Sequence, residues 1–205
     1  MRSIHPSRWL LPALLAGAAA CSDSGEPNGD TRPPSELNVV RVAPSSTPLL
    51  NATASFYAKR GEDREAQLFF QDQSGGQGDE YVRLLVGAGS LLAAPDGTPF
   101  LPGDSVLIQV SVVDPAEMLV VLEPTGLTFN PVAPARLTIH YDHAAGDLNE
   151  DGVSDGRDGS IERTLAIWRE ERLGDPFVRL TSVLAIDTDQ AEAELTGLSR
   201  YAIAY

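Results

Sequence analysis

Short runs in which apolar and polar residues alternate recur along this chain, and they limit what it can become. In Ser105–Val113, SVLIQVSVV, the residues Val106, Ile108, Val110 and Val112 alternate with Ser105, Leu107, Gln109 and Ser111. In ARLTIHY, Leu137, Ile139 and Tyr141 alternate with Arg136, Thr138 and His140. YVRLLV (81–86) and AEAELT (191–196) follow the same rule. A period of two puts one set of side chains on one face of an extended strand, so each run predicts a half-buried strand. Turn formers separate the runs: Ser74-Gly75-Gly76, Pro95-Asp96-Gly97, Pro102-Gly103-Asp104 and Pro124-Thr125-Gly126. Strands this short and this regularly punctuated predict an all-β, antiparallel sandwich of about ten strands. One segment stays open. SIERTLAIWREER sets Ile161, Leu165 and Trp168 at helical spacing, but as a strand it would turn Leu165 and Ile167 inward.

The first residues of the chain carry the expectation about its compartment. Residues 1–20 place Arg2 and Arg8 before an apolar run, Trp9 to Ala20, too short to span a bilayer, which predicts a secretory signal peptide. Two processing readings fit it. Ala18 and Ala20 form an A-x-A cleavage site, and LLAGAAAC resembles a bacterial lipobox ending at Cys21. Cys21 is the only cysteine, and an exported chain with one unpaired thiol is best explained if that thiol is modified. Lipidation at Cys21 is therefore expected, with the membrane reached through the lipid anchor. Ser22 follows where an inner-membrane lipoprotein would carry Asp, which by that resemblance implies the outer membrane; a periplasmic or secreted form is the alternative. Residues 21–36 are polar, rich in Pro and Gly, and predict a flexible, disordered linker ahead of a sandwich over 37–205. The net charge of −14 repels phosphate backbones and argues against a nucleic-acid partner.

The middle of the chain is familiar in its motifs. VRLLVGAGSLLAAPDGTPFLPGDSVLIQVSV, LVVLEPTGLTFNPVAPARLTIHY and TGLSRYAIAY together resemble the ZU-type β-sandwich of zonula occludens proteins, netrin receptors, ankyrins and some bacterial proteins. Pro124-Thr125-Gly126-Leu127-Thr128-Phe129 followed by Pro131 is similar to that family's P-x-G-x-x-F-x-x-P block, with one residue fewer before the last proline. The resemblance covers roughly residues 50–205 and implies a β-sandwich used in scaffolding and protein contact. Some members cleave themselves at His-Phe-Ser. Gly197-Leu198-Ser199 stands there in this chain, so Ser199 lacks the adjacent histidine that would activate it.

One loop stands apart from the strands. GDLNEDGVSDGRDGS places Asp147, Asn149, Asp151, Asp155 and Asp158 at positions 1, 3, 5, 9 and 12 of a twelve-residue stretch, with Gly152 at position 6. The spacing resembles the calcium loops of EF-hands, dockerins and thrombospondin repeats. Calcium takes six to eight oxygens in a flexible shell, and alternate residues of a tight loop aim carboxylates at one centre. Val153, at position 7, would add a backbone carbonyl. Ser154 and Asp158 depart from an EF-hand, which has an apolar residue and a Glu there, and the preceding ARLTIHYDHAAG reads as strand and turn. The expectation is an isolated, structural Ca2+ loop between two strands.

No nucleophile elbow, P-loop, dinucleotide motif or paired-cysteine motif occurs. His140, Asp142 and His143 could suit a transition metal, but strand alternation would point the two histidines to opposite faces, so both are expected at the surface. Trp168, Phe177 and Tyr201 could line a sugar-binding face or pack in the core. The functional expectation is a non-enzymatic cell-envelope lipoprotein used for protein interaction or envelope structure. The alternatives are a surface carbohydrate-binding module and, ranked lower, an envelope hydrolase.

Overall fold

The computed structural model describes residues 30–205. The expected signal peptide over 1–20 and the expected lipidation site Cys21 lie outside the described residues. The strands in chain order are β1 (Thr31–Arg32), β2 (Thr53–Lys59), β3 (Arg64–Gln71), β4 (Gln77–Val86) and β5 (Leu91–Ala93). There follow β6 (Ser105–Val112), β7 (Leu119–Glu123), β8 (Thr128–Phe129) and β9 (Ala135–His140). After helix α1 (Gly156–Glu162) come β10 (Ala166–Glu170), β11 (Phe177–Arg179), β12 (Ser182–Ala185), β13 (Gln190–Leu195) and β14 (Arg200–Ala204). Ten of the fourteen run four residues or more, which are the strands long enough to leave an alternation in the sequence.

The strands form two main antiparallel sheets. One has the order β1-β11-β10-β14-β7-β6-β2 and the other β12-β13-β9-β4-β3; β5 and β8 pair separately. Between the sheets lies the core: Ile108, Val110, Val120, Leu122, Ile167 and Ile203 from the first, against Leu68, Phe70, Val82, Leu84, Leu137 and Ile139 from the second. Fully burying one such side chain contributes about 1.5–3 kcal/mol, which is why the alternation survives into the fold. The inward sets predicted for β6 and β9 are the sets that face this core.

β4 departs from simple alternation. Tyr81 and Val82 are both buried because the β3–β4 ladder skips a residue: Leu68 pairs with Val82, but Phe69 pairs with Glu80. A second irregularity follows before Gln71 pairs with Gln77. These bulges shift the side-chain phase at the start of β4. Gly78 sits in the second one, where an added Cβ would lie 2.8 Å from the Asp72 nitrogen and the Gln71 carbonyl carbon. A residue with a side chain would meet backbone there, so the site requires glycine.

The segment left open between helix and strand is both in succession. α1 ends at Glu162, and β10 carries Leu165's neighbours onward with Ile167 in the main core and Trp168 on the opposite face. That outer face is itself covered: Trp168, Phe177, Ala202 and Ala204 pack with Leu37. Trp168 Nε1 donates to the Ala204 carbonyl at 3.1 Å. The fold therefore begins earlier than residue 37. Thr31 and Arg32 pair with Val178 and Phe177, and the Arg32 guanidinium lies 5.4 Å from the Trp168 ring, so the last part of the 21–36 linker joins the sheet. Among the described residues no helix is long and apolar enough to cross a membrane.

Candidate ion sites at one end of the sandwich

The acidic loop hangs between β9 and β10, with a strand and turn entering it and α1 leaving it. Its side chains fold back on its own backbone. Asp147 accepts the Asp151 N–H at Oδ1 (3.1 Å) and the Gly152 N–H at Oδ2 (2.7 Å). Asn149 Oδ1 accepts the Asp151 N–H at 3.0 Å, and its Nδ2 donates to Asp151 Oδ2 at 3.2 Å. Asp151 Oδ1 accepts the Val153 N–H at 3.0 Å. Gly152 has φ +88°, the left-handed geometry that lets the chain reverse at position 6. Val153 leaves its side chain exposed, as suits a residue that would offer only its carbonyl.

The second half of the loop is the start of α1. Asp155 is the N-cap and accepts the Arg157 N–H at 2.7 Å, and Asp158 closes the capping box by accepting the Asp155 N–H at 2.7 Å. Asp158 Oδ1 also accepts the N–H of Leu148 (2.9 Å) and of Asn149 (3.4 Å), which ties position 12 to positions 2 and 3. Asp158 is only 4% exposed. The Asp155 N–H holds its carboxyl below the usual carboxylate range; the Asn149 and Leu148 N–H groups add to this, and desolvation opposes it. Three contacts seat the loop on the body. Leu148 packs on the core, Tyr205 donates its hydroxyl to the Leu148 carbonyl at 2.5 Å, and Arg41 pairs with Glu150 at 2.7 Å.

This donor set suits calcium. Every side-chain donor is an oxygen, and a carboxylate oxygen that accepts one N–H keeps a second lone pair for a cation. Arg157, 3.3 Å from Asp151, is the cation paired with any of the five predicted side-chain ligands among the described residues. The carboxylates remain spread around the loop. The one set of three metal-ligating side chains with ligand atoms all within 4.8 Å, among the described residues, lies elsewhere.

That set is Asp79, Asp142 and His143. His143 is not on a strand. β9 ends at His140, and the Ala144 N–H donates to the Tyr141 carbonyl at 2.8 Å, closing a turn that carries Asp142 and His143. The expectation of two surface histidines on opposite faces is corrected here, since strand alternation stops before His143. Both are half-buried. His140 Nε2 lies 3.4 Å from Glu80, while His143 Nε2 lies 3.3 Å from Asp79 and 3.8 Å from Asp142. The His143 ring stacks on Phe70 at 3.9 Å and 12°. Its Nδ1 is 2.5 Å from Ser46 Oγ, which in turn donates to the Thr47 carbonyl at 3.2 Å. Asp79 comes from the bulged start of β4, which the β4–β9 pairing of Val82 with Ile139 brings alongside this turn. HYDH is visible in the sequence, but nothing local marks Asp79 or Ser46 as its partners.

Two hollows adjoin these groups. A groove of 780 Å3 runs between Pro44, Ser46, Pro48 and Phe70 on one side and Asp147 and Glu150 on the other. A cleft of 290 Å3 is shared by Asp142, Asp155, Asp158 and Glu162.

The remaining sequence candidates fall away from both hollows. Ser199 is buried with no hydrogen-bond partner for its hydroxyl among the described residues, so nothing there takes its proton. Trp168, Phe177 and Tyr201 are all buried and form no exposed row. No family model, curated protein or solved structure matches this chain.

Proposed function

We propose that this is a non-enzymatic lipoprotein of the cell envelope, anchored through Cys21, whose ZU-like β-sandwich is stapled by calcium at 147–158 and serves protein contact or envelope structure. The observation that carries the reading is the closure of the loop. Asp147 is bonded to the backbone at positions 5 and 6, and Asp158 to the backbone at positions 2, 3 and 9, so the two ends of the loop are tied to its middle and its acids are kept close together. A loop with that much negative charge gains from a divalent cation that draws its carboxylates together. The groove between the loop and the Phe70 wall offers an apolar side and an acidic rim for a partner. Trp168, Phe177 and Tyr201, the aromatic residues considered for a sugar platform, are buried, so the glycan reading loses the row it was based on.

The test is thermal and chemical denaturation of the full chain in chelator and in millimolar calcium. Extracellular calcium modules bind at about 10⁻⁴–10⁻³ M. Calcium at ten times Kd adds about 1.4 kcal/mol to folding stability. Asp151→Ala should abolish the gain, and an unchanged wild-type transition sinks the calcium staple.

An envelope hydrolase is the second reading, favoured by the line Ser46–His143–Asp79 beside the groove. In that reading the Ser46 proton points at Nδ1. The contact from Ser46 Oγ to the Thr47 carbonyl instead gives that proton another acceptor, and it weighs against a serine nucleophile.

A further inference from the structure

We infer that Asp79, Asp142 and His143 form a second cation site, built for a first-row transition metal of the zinc class and separate from the calcium loop. Charge supplies the first argument. The only ion-pair partner of either carboxylate among the described residues is His143, so two acids share one imidazole and keep a net negative charge even when the ring is protonated. A divalent cation removes that imbalance.

Geometry supplies the second. Tetrahedral zinc with bonds of about 2.0–2.1 Å sets its ligands about 3.3–3.4 Å apart. His143 Nε2 stands 3.3 Å from Asp79 Oδ2 and 3.8 Å from Asp142 Oδ2, and the ligand atoms of all three residues lie within 4.8 Å of one another, so binding needs the two carboxylates drawn inward by closure of the turn.

The environment of the ring supplies the third. A metal-bound imidazole uses one nitrogen for the ion and donates its other N–H to an oxygen that fixes tautomer and orientation. Ser46 Oγ occupies that place at Nδ1, with its own proton directed at the Thr47 carbonyl. The stack on Phe70 holds the plane of the ring. Nε2 is thereby left to face the two carboxylates. One imidazole and two carboxylates leave a fourth position open. Asp79 is exposed, so that position is reachable from solution. The mixed nitrogen and oxygen set selects zinc-type ions, while the oxygen-only loop selects calcium.

The test is equilibrium dialysis of the full chain against micromolar zinc with millimolar calcium present, with the retained metal counted per chain. One zinc is expected. Asp79→Asn, an exposed change that leaves the core intact, should remove it, as should His143→Gln. Ser46→Ala should weaken binding by about 10–100-fold, the usual effect of losing a ligand's supporting hydrogen bond. His140→Ala should leave it unchanged. Cobalt in place of zinc should give the visible absorption of a low-coordinate Co(II) centre, absent in Asp79→Asn. The site is overturned if the wild type retains no more zinc than Asp79→Asn does. It is equally overturned if Ser46 is labelled by a fluorophosphonate while no zinc is retained, which hands the cluster to the hydrolase reading.

Discussion

The loop at 147–158 and the cluster at Asp79, Asp142 and His143 lie at the same end of the sandwich, and they are built in opposite ways. The loop draws all its donors from twelve consecutive residues, and its order comes from side chains bonded to backbone a few positions away. The cluster draws on β4, on the turn after β9 and on the segment before β2, and its order comes from packing: Phe70 under the ring and a β-bulge that sets Asp79 in place. A local motif can form wherever a loop is tolerated. An assembled one exists only if the sheet around it is correct. Perturbing the core should therefore damage the cluster far more than the loop, and perturbing the loop should leave the cluster whole.

The largest effect is expected from Phe70→Ala. Phe70 is 1% exposed, sits between the two sheets, and touches both Tyr81 and His143. Large-to-small changes of this kind cost about 3–5 kcal/mol, measurable as a lower urea midpoint. Zinc uptake should fall with it, because the ring of His143 loses its platform, while the stabilisation by calcium persists. A variant that kept its zinc would mean packing does not position the histidine. Gly78→Ala comes next. Its Cβ would press on backbone at 2.8 Å, and relief by moving that backbone costs about 1–3 kcal/mol. The displaced strand start should carry Asp79 away from His143, so zinc binding should weaken more than stability alone accounts for. If only stability changed, the bulge would not be what places Asp79.

The same contrast decides which features are legible in the sequence. Alternation in Ser105–Val112 and Ala135–His140 is imposed by burial on one face, so the sandwich and its inward residues can be read from it. The spacing of Asp147, Asn149, Asp151, Asp155 and Asp158 is local, so the loop can be read too. Its exit helix is hidden because the Ile161–Trp168 spacing blends the end of α1 with β10; the capping residues Asp155 and Asp158, which double as candidate ligands, are the signal for it. YVRLLV looks regular, yet Tyr81 and Val82 both turn inward, because a bulge depends on the partner strand and leaves no period of its own. The cluster is hidden for the same reason. His143 lies in the turn beyond β9, and Asp79 is more than sixty positions away, joined to it by strand pairing that no spacing records.

The smallest effect tests whether the two regions are independent. Asp155 is both the N-cap of α1 and position 9 of the loop, and it lines the cleft that Asp142 also lines. Replacing an N-cap Asp by Ala costs about 1 kcal/mol, because one of the first N–H groups of the helix loses its acceptor. Asp155→Ala should therefore lower the stability of the calcium-free chain by about that amount and reduce the additional gain from calcium. Zinc retention should not move, since His143 keeps its supports in Ser46 and Phe70 and Asp79 keeps its place at the β4 bulge. Denaturation and dialysis on the same preparation separate these outcomes. Loss of zinc in this variant would show that Asp142 is held by the loop across the shared cleft, and the end of the sandwich would then be one coupled ion-binding surface instead of two sites.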